Sequence, residues 1–398
     1  MESIMDQTVK KLRILLRGSW QTKNIGDIAH TPGFLSLAEK VLPDAEIWLC
    51  PSRIDNGVRE MLLENFPGLK IADDREKLLE AYRMCDIYVN GSGPFAGIDC
   101  STMNEWYRYT GKPYGCFGVS TDGYWSAENM KIISGASFIF CRDTLSENYM
   151  KLQKLECRNI KFAPDTTFYI DVKHNTEKSD AFLQDNGLKK DNFICVIPRL
   201  RCTPSSFDDD AFYYTDKRKE DVSMQHVEKD MEKLRDVICH IVRNTPFKVL
   251  ICPEMTYQVP MGRRFIYDCL PDDVKAGCVL KREYWLTDEA IGVYRNAHSL
   301  ISMEMHSPIL FVTCGKPAIL LRQAEDTWKG QMWRDIGLQK WILELNSTES
   351  AEIIDTVTDI IENYPAALEK ARQAAQFACG CGAAAMKDIA AAAEKKNC

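Results

Sequence analysis

Residues 300–322 read LISMEMHSPILFVTCGKPAILLR, and this stretch constrains the fold more than any other part of the chain. The run His298-Ser299-Leu300-Ile301-Ser302-Met303 is short and apolar, as a buried strand is. Ser307-Pro308 then offers an N-cap and a first-turn proline, so a helix is predicted to follow. Gly315-Lys316-Pro317 stops that helix, and Ala318-Ile319-Leu320-Leu321 reads as the next buried strand. In an open α/β sheet, ligands sit beyond the carboxyl ends of strands, where helix N-termini point N–H groups outward. Glu304, His306 and Ser307 fall at such a place, and Arg322, ending the next strand, opens on the same crevice. The competing reading makes Glu304 and His306 polar residues of a surface turn and leaves Arg322 solvated.

The same alternation runs through the whole chain. Residues 11–17 form an apolar strand leading into the turn Asn24-Ile25-Gly26-Asp27, with a helix carrying Phe34, Leu35, Leu37 and Ala38 behind it. A strand, a glycine turn and a helix can hold an anionic or hydroxyl-rich ligand, although a lone Gly26 is equally a structural turn. Strand 86–90 enters Gly91-Ser92-Gly93-Pro94, whose glycines allow close approach of backbone or ligand, or make an ordinary tight turn. Strand 138–141 runs into Arg142-Asp143-Thr144. Asp143 or Thr144 can cap a helix there, while Arg142 either points into the crevice or ties two domains by a salt bridge. Residues 172–191 are polar enough for a linker, and a second set of strands and helices follows. Residues 205–221 look too polar and irregular for an element, with Tyr213 and Tyr214 able to stack on a sugar or cover a core edge. The alanine-rich stretch 350–396 reads as helical and is predicted to cross back onto the first domain.

With 398 residues the chain is too long for one comfortable core, so two domains are expected. The formal net charge of -7 argues against a nucleic-acid surface as the main function. No apolar run approaches the ~20 residues that span a bilayer, and Ile14-Leu15-Leu16 is too short for a signal-peptide core. A cytoplasmic protein without a transmembrane segment is expected. The 16 cysteines are scattered, and the close pair Cys379-Gly380-Cys381 has no partner pair or nearby histidine, so neither disulfides nor a metal are expected.

Met305-His306-Ser307 followed by Gly315-Lys316-Pro317 resembles the C-terminal signature of the polysaccharide pyruvyl transferase family, in which a strand ends in Arg-x-His before a helix, Gly-x-Pro and another strand. The Asn24-Ile25-Gly26-Asp27 turn, the glycines at 91 and 93, Arg142-Asp143 before Ser146, and Pro164-Asp165 are similar to family features in the same order. Glu304 departs from the pattern, standing where the family has arginine. The resemblance spans residues 24–337 and implies two Rossmann-like parallel-sheet domains facing a cleft, a GT-B-like α/β architecture braced by the C-terminal helix. The expected boundaries are residues 1–172 for an acceptor-side domain, 173–191 for the linker, 192–346 for a donor-side domain and 347–398 for the helical tail.

The reaction so implied moves a pyruvyl group from phosphoenolpyruvate to two hydroxyls of a carbohydrate acceptor, free or lipid-linked, with no further cofactor. A carboxylate and a phosphate call for guanidinium groups, so Arg142, Arg199, Arg201 and Arg322 are the donor-binding candidates, with Ser307 and Glu304 beside them. His306 is the candidate acid or base, and Asp27 or Asp165 can orient acceptor hydroxyls or act as the base. Asn24, Gly26, Gly91 and Gly93 are the acceptor-side turns. Glu304 can pair with Arg322, hold His306 charged, or mark a changed donor. The last case leaves a nucleotide-sugar glycosyltransferase as the alternative, with a non-catalytic glycan-binding relative as a third reading.

Overall fold

The apolar runs at residues 13–18, 193–197 and 299–302 each form a buried strand. The computed structural model describes residues 11–94, 99–121, 126–173, 176–208 and 211–394. The first sheet is built from β1 (Arg13–Gly18), β2 (Glu46–Pro51), β3 (Lys70–Ile71), β4 (Ile87–Asn90), β5 (Gly93–Pro94), β6 (Tyr114–Ser120), β7 (Phe138–Cys141) and β8 (Ile160–Phe162). Its order is β3-β2-β1-β4-β6-β7-β8, with β5 paired to β6 and every pairing parallel. The second domain opens with β9 (Phe193–Ile197), continues through the antiparallel hairpin β10 (Ser206–Asp208) and β11 (Ala211–Tyr213), and then adds β12 (Lys248–Ile251), β13 (Cys278–Leu280), β14 (Ser299–Ser302), β15 (Ala318–Arg322) and β16 (Ile342–Glu344). Its sheet runs β13-β12-β9-β14-β15-β16, again all parallel.

In both sheets the chain starts in the middle, builds to one side and then crosses over. This is the doubly wound order, whose ligand crevice lies where the winding reverses. The reversal falls between β1 and β4 in the first sheet and between β9 and β14 in the second. All five residues of β9 are fully buried, because helices cover both faces of a parallel sheet. The predicted two-domain architecture is therefore what the chain adopts.

The domains meet through the loop after β1. Ile25 donates its N–H to the Glu254 carbonyl at 3.0 Å, Thr256 donates to the Lys23 carbonyl at 3.0 Å, and Asn24 and Met255 form an antiparallel bridge. Thr144 adds a second link, its N–H and hydroxyl donating to the two Asp335 carboxylate oxygens at 2.8 and 2.7 Å. The C-terminal helix Tyr364–Glu394 lies back across the first domain: Phe377 stacks on Phe162, and Lys161 pairs with Asp388. Gly382 lets this helix press against Tyr169, whose ring carbon would sit 2.4 Å from any added Cβ.

Three local expectations differ from the structure. The 205–221 stretch, read as irregular, holds the hairpin and the start of the helix Lys217–Asn244, because Asp216 caps that helix at Arg218 N–H, several residues before its apolar stripe begins. The linker region contains the helix Thr176–Asp185, which packs on the helix Thr287–Tyr294 of the second domain. The helix of the organising segment spans His306–Thr313 with Met305 at its N-cap, so Ser307 is already inside the first turn.

Candidate active site

Three adjacent strands of the second sheet, β12, β9 and β14, deliver Glu254, Arg199 and the Glu304–Ser307 turn at their carboxyl ends. Glu254 organises them. Its Oε2 accepts the Ser307 backbone N–H at 2.6 Å, and its Oε1 lies 3.2 Å from His306 Nδ1. A carboxylate at the N-terminus of a helix is favoured by the helix dipole, and here it also fixes the imidazole. Glu254 is fully buried and His306 only 6% exposed. Burial opposes the charge on His306, but the hydrogen bond and charge of Glu254, followed by Asp27 and Asp165, hold its pKa above the ordinary histidine value. Burial likewise works against the Glu254 carboxylate, and the His306 and Ser307 contacts outweigh it, keeping its pKa below the usual range. His306 Nε2 has no hydrogen-bond partner.

The first domain supplies the opposite wall. The helix Ile25–Val41 is capped by Asn24, whose side-chain oxygen accepts from Gly26 and Asp27 at 2.7 and 3.2 Å. This helix presents Asp27 and His30 one turn apart on the same face. The His30 and His306 rings meet edge to face with centroids 5.1 Å apart. Gly26 allows the contact: a Cβ there would lie 2.1 Å from His306 Cβ and 2.2 Å from Cγ. Its glycine is needed for the approach of the other domain and not for a left-handed turn. Gln21 donates to Asp27, and ligand atoms of Asp27, His30 and His306 all lie within 4.8 Å of one another.

Behind His30 stands Asp165. Its Oδ1 is 3.2 Å from His30 Nε2, and its Oδ2 accepts from Arg142 at 2.7 Å. Arg142 Nε in turn donates to Ser120 Oγ at 2.7 Å, and Ser120 donates to Asp143 at 2.7 Å. Burial penalises the Asp165 charge, yet His30, Arg142 and His306 together hold its carboxyl well below the ordinary value. Arg142 stays within the first domain, bound to Asp165, and does not tie the two domains. Gly91 and Gly93 flank Ser92 at the end of β4, whose hydroxyl accepts the Thr166 N–H at 3.0 Å, so this turn supports the Asp165 loop from below.

Glu304 sits at the neighbouring strand end, 4% exposed, and its partners are not those expected from the sequence. Arg199 Nε lies 3.3 Å from its Oε1, and Gln258 Nε2 donates to the same oxygen at 2.8 Å. Gln258 Oε1 also accepts the Glu254 N–H at 2.7 Å, so one amide connects the Glu304 and Glu254 strand ends. Burial raises the Glu304 carboxyl to about 7, against the pull of Arg199. Arg199 is shared with Asp326, which it also contacts. Arg322 does not reach Glu304: it pairs with Glu344 at 2.8 Å and donates to the Asp326 carbonyl at 3.0 Å. Arg201 is clamped two-handed by Asp230 at 2.7 and 2.9 Å, away from the histidines. His306, Asp27, Asp165, Arg142 and Ser307 are thus gathered at one place, with Arg199 and Glu304 beside it; Arg322 adjoins Arg199 through the shared Asp326 but is paired with Glu344, and Arg201 is taken up by Asp230. Glu254, His30 and Gln258 were not among the sequence candidates. The local patterns are weak: His30 lies three residues after Asp27 on a helix, Glu254 follows an apolar strand as many carboxylates do, and nothing local marks Gln258.

Two doubly wound parallel sheets meeting across one junction are the arrangement of the GT-B fold. The model of the family described as polysaccharide pyruvyl transferase matches residues 24–324, and the chain belongs to that family. No curated protein matches it by sequence. Among solved structures it is similar to a UDP-GlcNAc 2-epimerase from Neisseria meningitidis bound to UDP-GlcNAc, with a TM-score of 0.60 and 13% identity over 96% of this chain and 99% of that one. It is also similar to Anabaena Alr3699/HepE in complex with UDP and glucose, with a TM-score of 0.56 and 10% identity over 96% and 98%. The E. coli ADP-heptose LPS heptosyltransferase II superposes with a TM-score of 0.51 and 9% identity over 89% and 100%. At these identities the likeness is one of fold. No helix among the described residues is long and apolar enough to cross a membrane.

Proposed function

We propose that the chain transfers the pyruvyl group of phosphoenolpyruvate to two hydroxyls of a carbohydrate, releasing phosphate and closing a cyclic ketal. The observation that carries this reading is the His306–Glu254 pair, with a buried Nε2 that has no partner on a ring that meets His30 of the other domain. The reaction removes two protons from the hydroxyls, delivers one to the methylene carbon as its double bond opens, and sends the other out with the phosphate. The C–O bond to phosphate breaks as two C–O bonds to the sugar form. An imidazolium stabilised by a buried carboxylate donates the first proton from Nε2, and the neutral ring it leaves accepts one from a hydroxyl. Asp27, on the acceptor side, orients the hydroxyl pair. Arg199 faces the donor's negative charge, and Glu304, drawn toward its neutral form near pH 7, repels that charge less than a free carboxylate does. Arg142 acts at one remove, holding Asp165 against His30. The site takes a glycan or glycan precursor made on the cytoplasmic side, free or lipid-linked.

The test is direct. Purified protein given phosphoenolpyruvate and a panel of sugar acceptors is expected to release inorganic phosphate and to add one pyruvate less one water to the acceptor mass. His306→Asn is expected to abolish both while melting within a few degrees of the parent. Thermal stabilisation by UDP-sugars and none by phosphoenolpyruvate would replace this reading with nucleotide-sugar transfer.

A further inference from the structure

We propose that Asp27, His30 and His306 form a binding site for a zinc-class divalent cation across the domain junction, a site whose occupation excludes the proton from His306 Nε2. The sequence separates these residues and signals no metal, and the fold brings their ligand atoms within 4.8 Å of one another. Two imidazoles and one carboxylate suit a late first-row dication and not magnesium or calcium, which prefer all-oxygen shells. Ligands about 2.0–2.2 Å from a tetrahedral metal lie roughly 3.3 Å from each other, so closing the site needs inward movements of the order of 1 Å. Asp27 and His30 move together on one helix, and the fourth position is left to water or a substrate oxygen.

Three independent observations point the same way. His30 Nδ1 and His306 Nε2 have no hydrogen-bond partner, although both rings are more than nine-tenths buried. A buried polar nitrogen left unpaired is destabilising, and a bound cation removes that cost for both rings at once. The outer contacts are already in place: Glu254 accepts at His306 Nδ1, and Asp165 stands 3.2 Å from a His30 nitrogen. Metal-bound histidines are oriented by carboxylates in this way, and Arg142 and Ser307 in turn fix Asp165 and Glu254. Finally, the three ligands come from both domains, so the cation would fasten the junction beside the Asn24–Met255 bridge.

One lone pair cannot serve a metal and a proton together. The cation-loaded form therefore holds the domains together but lacks the proton that pyruvyl transfer requires, making zinc an inhibitor. Metal binding does not depend on the pyruvyl reading, and each can fail without the other.

The experiment uses the full chain, stripped with chelator and titrated with Co²⁺. The many free thiols make the ligand type the decisive readout. One equivalent of cobalt showing visible ligand-field bands of low coordination number without the near-ultraviolet thiolate band is expected. Zn²⁺ should displace it, and an excess of Mg²⁺ should not. Expected losses of affinity are above a hundredfold in His30→Gln and about ten- to hundredfold in Glu254→Gln, with His30→Gln checked for an unchanged circular dichroism spectrum. Should His30→Gln misfold, Asp27→Asn provides the same test on an accessible side chain. Thiolate-type spectra, or cobalt binding that survives both His30→Gln and Asp27→Asn, would overturn the site.

Discussion

His306 Nδ1 lies 3.2 Å from Glu254 Oε1, joining two strand ends of the same sheet that are 52 residues apart in the chain. Replacing Glu254 by Gln keeps a hydrogen-bond acceptor but removes the charge that raises His306. The basic limb of the pH–rate profile, which reports the loss of the imidazolium, should therefore move to lower pH. Turnover at neutral pH is expected to fall by about 10²-fold or more. Rates measured from pH 5 to 9 in parent and Glu254→Gln check this, and an unmoved basic limb would disconnect Glu254 from the titrating group.

Glu304 makes a stability prediction of opposite sign to that of most carboxylates. Its folded-state pKa is raised to about 7, so the folded protein holds this proton over a range where the unfolded chain has released it. Stability then declines as pH rises from the ordinary carboxylate value toward 7, and the full penalty persists above that. Glu304→Gln keeps the Gln258 contact and leaves Arg199 paired with Asp326. It should raise the stability of the protein by on the order of 1–3 kcal/mol at pH 8 and change it little at pH 5. Urea unfolding at both pH values measures it, and equal effects at the two would contradict the raised carboxyl.

Much of the architecture is legible before any coordinates, because burial on both faces writes parallel strands as unbroken apolar runs. Phe193-Ile194-Cys195-Val196-Ile197 and the strand–helix–strand of residues 300–322 fall where the patterns place them. The site is legible only in part. His306, Asp27 and Asp165 can be found because they sit at strand ends or turns beside glycine or proline. Arg201 and Arg322 occupy similar positions, yet Asp230 and Glu344 absorb them, and nothing local in the sequence announces those partners. Glu254 and His30 are hidden for the same reason. Their importance lies in contacts across 52 and 135 positions, to His306 and Asp165, and a carboxylate after one more apolar strand looks like any other.

Asp165 lies between the His30 ring and the Arg142 guanidinium, and its removal should be costly. Asp165→Asn leaves Arg142 buried without a counter-charge, a change of the kind that costs 3–5 kcal/mol. Because the Asp165 pKa is depressed, its stabilising effect is complete above the unfolded carboxylate value and is lost as pH falls through the folded one. The parent should thus lose stability in acid more steeply than Asp165→Asn does. Chemical denaturation between pH 2 and 5 resolves the two curves, and parallel curves would mean that the Arg142–Asp165 pair adds nothing.

Gly26 gives the sharpest test of how the two domains meet. An alanine methyl there would sit 2.1–2.3 Å from Cβ, Cγ and Nδ1 of His306, atoms too close to the backbone to swing aside. Either the His306 helix retreats or the loop after β1 leaves its bridge with Met255. Overpacking of this kind costs about 1–3 kcal/mol. Catalysis should suffer far more, because a displacement of about 1 Å at a reacting group can reduce the rate 10²-fold. Gly26→Ala is therefore expected to remain folded, with a melting temperature a few degrees lower, and to lose at least 10²-fold in turnover. Gly33→Ala serves as the comparison: its Cβ would meet the Thr166 carbonyl at 1.9 Å, so it should lose stability first. If Gly26→Ala instead kept full activity, the close packing of His306 on the Asn24 turn could not be a requirement of the working site.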